Sequence, residues 1–200
     1  MTTLPIGVRI QNALGLTEAV TATATELNKL DGVTASTAEI NLTDGILATV
    51  AEINRAADAS TRVVNVTAST LTVTELAHDG KWITLNRAGG IAVTLPAATG
   101  SGSVLNFIIG TTVTTPSTTI KVVGNDTMTG LALTAQDGAD TLVAFETAAD
   151  SDTITLNGTT TGGIKGDRVL LVDIAADLWY VRVEASATSS EASPFSATVS

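Results

Sequence analysis

The sequence predicts a mainly β protein: an antiparallel β-sandwich or barrel-like head preceded by short helical repeats. Three observations carry that reading. About one residue in six is Thr, Val and Ile are plentiful, and only 15% of residues are charged, a composition that suits pleated strands better than helices. From Arg62 onward, apolar and polar residues alternate with period two between Gly-containing turns. Before that point, three copies of a thirteen-residue unit carry helix-start and helix-stop residues instead.

Residues 1–20 form an N-terminal arm. Leu4, Ile6, Val8 and Ile10 alternate as a strand would, a pattern suited to adding onto a neighbouring sheet. The arm lacks the basic start and long apolar run of a signal peptide, so synthesis in the cytoplasm without the usual export is expected.

Residues 21–59 hold the repeat, read as a short-helix stalk. Thr23-Ala-Thr-Glu26-Leu27-Asn28 recurs as Ser36-Thr-Ala-Glu39-Ile40-Asn41 and as Thr49-Val-Ala-Glu52-Ile53-Asn54. A Ser or Thr three residues before Glu is a capping box: the hydroxyl accepts a free N–H of the first turn and the carboxylate reaches back. Asp31-Gly32 and Asp44-Gly45 are stop signals, because Gly enters the left-handed region that closes a helix. The third copy has Ala57-Asp58 there. Helices are therefore expected near Ala24–Leu30, Thr37–Thr43 and Val50–Ala57.

Helices this short are marginal alone, and each copy offers few apolar side chains: Leu27, Leu30 and Val33; Ile40, Leu42 and Ile46; Val50 and Ile53. The economical partner for so narrow a stripe is the same stripe of other copies, or a larger body. Leu27, Leu30, Ile40, Ile46 and Ile53 are the candidate contact residues. A homotrimer is the favoured assembly, a number the spacing does not set. The competing reading folds the helices back onto the chain's own β domain.

Residues 60–185 form the β-rich domain. Strands are expected at Arg62–Thr67, Lys81–Asn86, Ile91–Leu95, Val104–Ile109, Thr118–Val123, Thr129–Thr134, Thr141–Glu146, Thr153–Leu156, Arg168–Ile174 and Leu178–Glu184. Two hairpins are expected, one joining Lys81–Asn86 to Ile91–Leu95 through Arg87–Gly90, the other joining Val169–Ile174 to Leu178–Glu184 through Ala175–Asp177. Alternation places Trp179, Val181 and Val183 on one face and Tyr180 and Arg182 on the other. With aromatics at only 3%, Trp82, Trp179, Phe107 and Phe145 are expected to anchor the core rather than to stack on sugars. Residues 186–200, small and polar, form a tail that is flexible or ordered by a partner.

Little in the chain points to chemistry. There is no Cys, which excludes disulfides and thiolate metal sites. The net charge of −10, with no Lys/Arg cluster, argues against nucleic acid, and no apolar run is long enough for a membrane helix. The single His78 precedes a turn-forming Asp79-Gly80 with no nucleophile motif nearby. Glu146, Asp150 and Asp152 are the nearest approach to a paired-carboxylate site, and Asp137, Asp140, Asp150 and Asp152 the nearest to calcium ligands, but their spacing matches no EF-hand. Thr159–Lys165 is Gly-rich without matching a phosphate loop. No catalytic residue, cofactor or metal is expected, and the chain reads as non-enzymatic.

The run Ala24-Thr-Glu-Leu-Asn-Lys-Leu-Asp-Gly-Val-Thr-Ala35 resembles a repeat of tailed-phage structural proteins. Gly80-Lys-Trp-Ile-Thr-Leu-Asn86, Gly90-Ile-Ala-Val-Thr-Leu-Pro96 and Phe107-Ile-Ile-Gly110 are similar to a β domain of phage particle proteins, and Asp177-Leu-Trp-Tyr-Val181 resembles its closing strand. The resemblance implies a virion component. The first functional expectation is a capsid decoration, or cement, protein bound to the major capsid protein on the outer shell. The second is a short tail- or head-fibre protein binding host surface glycan. A depolymerase acting on surface polysaccharide is the enzyme alternative, disfavoured by the lack of an acid/base pair.

Overall fold

The computed structural model describes residues 22–57, 62–136 and 141–198; the expected arm at residues 1–20 lies outside them. The chain divides into two compact units, Met1–Ile53 and Asn54–Ser200, close to the expected border between the repeat and the β domain.

The first unit holds the expected helices: α1 (Ala24–Asn28), α2 (Thr37–Leu42) and the start of α3 (Val50–Ala57). None of the described side chains of α1 and α2 is buried.

The second unit is mainly β, as expected, and its strands form two sheets. They are β1 (Val63–Val66), β2 (Thr70–Thr72), β3 (Trp82–Leu85), β4 (Ala92–Thr94), β5 (Val104–Ile109), β6 (Thr118–Lys121), β7 (Thr127–Gln136), β8 (Leu142–Glu146), β9 (Thr153–Leu156), β10 (Arg168–Ala175), β11 (Leu178–Ala187) and β12 (Phe195–Ser196). One short helix, α4 (Glu75–His78), lies between β2 and β3. The larger sheet runs β1-β3-β5-β10-β11-β7-β8 and the smaller β12-β9-β6-β4-β2.

The first six strands alternate between the sheets. β1, β3 and β5 pair in parallel in the larger sheet, and β2, β4 and β6 pair in parallel in the smaller. The chain thus winds through three rungs, each one strand of either sheet. Antiparallel pairs then complete both sheets: β10 with β5 and β11, β7 with β8, and β9 with β6 and β12. The long β7 and β11 pair in parallel. The sheets are therefore mixed, not antiparallel throughout.

This winding corrects the first expected hairpin. β3 and β4 lie in different sheets, and the backbone between them bonds to the next rung: the Thr114 amide donates to the Ala88 carbonyl and the Thr119 amide to that of Ile91. The second hairpin, β10 with β11, forms as expected. The tail is also corrected. β11 runs to Ala187, Phe195 and Ser196 pair with β9, and the Thr198 amide donates to Asp152, so residues of this same chain order it.

The core is one cluster between the sheets. Ile83, Leu85, Leu105, Phe107, Leu171, Trp179, Val181 and Val183 of the larger sheet and Val93, Ile120, Ile154 and Leu156 of the smaller are almost wholly buried. Each such aliphatic or aromatic side chain contributes about 1.5–3 kcal/mol. Trp179 and Phe107 are anchors as expected. Phe145 only packs against the cluster partly buried. Trp82 is not a core anchor: alternation sends Ile83 and Leu85 inward, and Trp82 stays 38% exposed on the opposite face, with the Arg168 guanidinium carbon 5.2 Å from its ring centre.

Buried aspartates hold the connections between sheets. Asp173, fully buried in β10, accepts from the amides of Thr99, Gly100 and Ser101. Asp167 accepts from the amides of Gly163, Ile164 and Ser186, and Asp126 from that of Ala98. Burial alone would raise the Asp173 carboxyl, but the amides of Thr99, Ser101 and Gly100 outweigh it and hold the group below its ordinary value. At Asp167 burial wins over its amide donors, and the carboxyl is raised.

Because Asp173 has a folded-state pKa below its unfolded one, its stabilisation is present above the unfolded value and lost as pH falls through the folded value. Asp173→Asn keeps the shape but loses charge and an acceptor, so urea unfolding at neutral pH is expected to show a loss of about 2–3 kcal/mol. The variant's stability should also fall less steeply than wild type as pH drops below about 4. An unchanged unfolding midpoint would show that the Thr99–Ser101 connection does not depend on this carboxylate.

Candidate functional site

The repeat is the candidate site, and its geometry follows from local chemistry. In the first copy the Thr23 hydroxyl accepts from the Glu26 amide at 3.2 Å, and the Glu26 carboxylate accepts from the Thr23 amide at 2.7 Å. Ser36 and Glu39 repeat this at 3.3 and 2.7 Å, and Thr49 and Glu52 do so again at 3.3 and 2.7 Å. Each carboxylate also accepts from the hydroxyl of its partner. The backbone and side-chain donors of Thr23 lower the Glu26 pKa, and the side-chain and backbone donors of Ser36 lower that of Glu39.

The expected stops are in place, a few residues beyond the helix ends. α1 closes through Leu30 N–H to Leu27 C=O, and a turn follows in which the Val33 amide donates to the Leu30 carbonyl. α2 closes through Thr43 N–H to Ile40 C=O, followed by a turn from the Ile46 amide to the Thr43 carbonyl. Gly32 and Gly45 sit in these turns at φ +82° and +84°, where a β-carbon crowds the backbone.

The consequence is a set of exposed apolar side chains at one regular sequence interval. Leu27, Ile40 and Ile53, each one residue after its capping glutamate, are 38%, 43% and 43% exposed. Leu30, Val33, Ile46 and Val50 are exposed as well. All five expected contact residues, Leu27, Leu30, Ile40, Ile46 and Ile53, therefore present apolar surface to the outside. Each copy carries nearly the same capping geometry.

Of the residues considered for chemistry, His78 and Asp152 are engaged within the fold. His78 is buried at the end of α4, its Nδ1 3.0 Å from the Thr74 carbonyl oxygen and 3.1 Å from the Thr74 amide nitrogen. Glu146 is exposed at the end of β8, and Asp150 lies in the turn beyond it. Asp152 is buried and accepts from the Thr198 amide at 2.7 Å and the Thr153 hydroxyl at 2.8 Å. Asp137 and Asp140 lie outside the described residues. Among the described residues, no three His, Asp or Glu side chains converge as a metal site would require. In the Gly-rich stretch, the Asn157 side-chain oxygen accepts from the amides of Thr159, Thr160 and Thr161, which makes it a closed turn. Two open grooves, of ≈ 390 and ≈ 510 Å³, flank β7 and carry no aromatic residue on which a sugar could stack. Among the described residues no helix is long and apolar enough to cross a membrane.

No protein-family model, curated protein or solved structure matches the chain.

Gly32→Val and Gly45→Val should each weaken the local turn by about 1–2 kcal/mol. Hydrogen exchange is expected to speed up roughly tenfold at the Val33 or Ile46 amide respectively, with the β unit unaffected. Unaltered exchange at both amides would show that the chain reversals do not need the left-handed residue.

Proposed function

We propose that the chain is a non-enzymatic virion component of a tailed phage, a decoration protein that binds the outer capsid surface as an oligomer. The observation that carries this reading is the repeat. Three identically capped turns hold apolar side chains in regular, exposed positions and bury none of them in α1 or α2. Such units hold together by leaning on a neighbour. The likeness of this repeat to those of phage particle proteins supplies the setting, with the major capsid protein as neighbour.

The mechanism is linkage. A protein that binds the assembled shell but not its dissociated subunits shifts the balance toward the shell. It needs no catalytic group, cofactor or metal. It needs a rigid body and a repeated contact; the two mixed sheets support the first requirement and the exposed apolar residues of the capped repeat the second. A fibre protein gripping host glycan would call for a stacking platform; neither groove beside β7 carries an aromatic residue, and the exposed Trp82 ring has the Arg168 guanidinium over it.

Leu27→Asp, Ile40→Asp and Ile53→Asp combined should reduce occupancy on purified capsid shells at least a hundredfold, with the β unit still folded by circular dichroism. Quantitative mass spectrometry of particles should find hundreds of copies. Full shell binding by the triple variant would take the contact away from the repeat; a handful of copies per particle would overturn the decoration reading in favour of a fibre.

A further inference from the structure

The two sheets bury their inner faces against each other, and their outer faces differ in kind. The outer face of the smaller sheet is paved with threonine: Thr70, Thr72, Thr94, Thr119 and Thr155, with Lys121 among them. That is the polar-out pattern of a sheet facing water. The larger sheet reverses it. The register aligns Val63, Trp82, Asn106, Leu170, Arg182 and Leu131 in one row across six strands. The next row mixes Asn65, Thr84, Arg168 and Glu184 with Ile108 and Leu133, and a third contains Val172 and Tyr180. Val63, Trp82, Leu142 and Ile174 are 62%, 38%, 66% and 48% exposed. A face on which exposed apolar side chains are interleaved with Asn106 and a few charged groups resembles an interaction surface more than a wholly wet one.

We infer that this outer face is a docking surface for a second copy of the chain, so that the larger sheets of two protomers stack. Three observations choose that occupant. The first is area. Seven strands at about 4.8 Å spacing and four to ten residues in length cover roughly 500–900 Å², the size of one side of a standard protein interface, about 800 Å².

The second is charge. Copies that each carry −10 repel one another. On this face, however, the outward charged side chains of the strands are Arg168, Arg182, Glu184 and Glu146, which balance. It is a neutral window on an acidic molecule, where like-charged copies can meet.

The third is placement. Arg168, Arg182 and Glu184 form ion pairs at 3.6 and 3.2 Å on the fourth and fifth strands of seven, near the middle of the face. A mixed-sign cluster at the centre suits a self-complementary contact, in which Arg of one copy reaches Glu184 of the other.

The test uses the full chain in dilute solution without capsid, so it stands or falls apart from the decoration reading. Sedimentation at ~1–100 μM should show an assembly. Leu133→Glu with Leu170→Glu should reduce it to monomer while circular dichroism stays β. Thr94→Glu with Thr119→Glu, on the threonine face, should leave it intact. The chain has no Cys, so Leu170→Cys is a unique and mild probe should the glutamate pair disturb folding. Its maleimide labelling should be at least tenfold slower than that of the same cysteine with Leu133→Glu added. A wild-type monomer, an assembly unchanged by the face variants, or equal labelling rates would overturn the inference. So would protection that appears only on mixing with capsid shells, which would assign the face to the shell protein.

Discussion

The constraint beneath this structure is the repeated crossing between two sheets. Within the β unit, only the connections β7–β8 and β10–β11 stay inside one sheet. Every crossing takes backbone amides out of one ladder before they enter another, and a buried amide left unpaired costs about as much as a lost hydrogen bond. Short acidic side chains solve this locally. Asp173 takes three consecutive amides of the connection between β4 and β5, Asp79 takes the Val104 amide where that connection ends, and Asp126 takes the Ala98 amide within it. Because the connections are satisfied by carboxylates placed on neighbouring elements, the inner sheet faces remain almost wholly apolar.

What could be read in the sequence was whatever is local. The capping boxes depend on residues three apart, and the structure shows all three with nearly identical distances. The β10–β11 hairpin was legible for the same reason: three residues and an alternating pattern fix which face Trp179, Val181 and Val183 share. The β3–β4 connection presents the same local signal, two alternating runs and a four-residue Gly-rich link, yet it turns a corner. The distinction lies in partners about twenty-five residues away, Thr114 and Thr119, which no local pattern encodes. Trp82 was misplaced for another reason. The scarcity of aromatics argued for a core position, whereas the alternation itself puts Ile83 and Leu85 on the inner side and leaves Trp82 with Thr84 on the outer.

An aromatic residue on the outer face is itself informative. In a sheet with one wet face the outward residues are polar and the inner face can be named from sequence, as in Thr70, Thr94 and Thr119 around Leu71, Val93 and Ile120. In the larger sheet the outer face mixes apolar residues with Asn106, Arg168, Arg182 and Glu184, a pattern between that of a wet face and that of a covered one. The repeat carries the same signature on a smaller scale: its helices are specified in full by their caps and left without a buried face of their own in α1 and α2. In each unit, then, local structure is completed by the chain while part of the apolar surface is not.

The acidity of the chain follows from the same economy. Glu26, Glu39 and Glu52 close capping boxes, and Asp79, Asp126, Asp152, Asp167 and Asp173 accept amides at loops. Eight acidic residues out of twenty are thus hydrogen-bond acceptors fixed by the fold. Had the −10 been distributed for steering a cationic ligand, carboxylates would gather on one open surface. Instead these are dispersed wherever backbone amides lack a ladder. The net charge is better understood as the sum of many local caps than as a binding signature. It still sets a boundary condition for assembly: copies built this way can approach only where opposite charges offset one another, and the face bearing Arg168, Arg182 and Glu184 meets that condition.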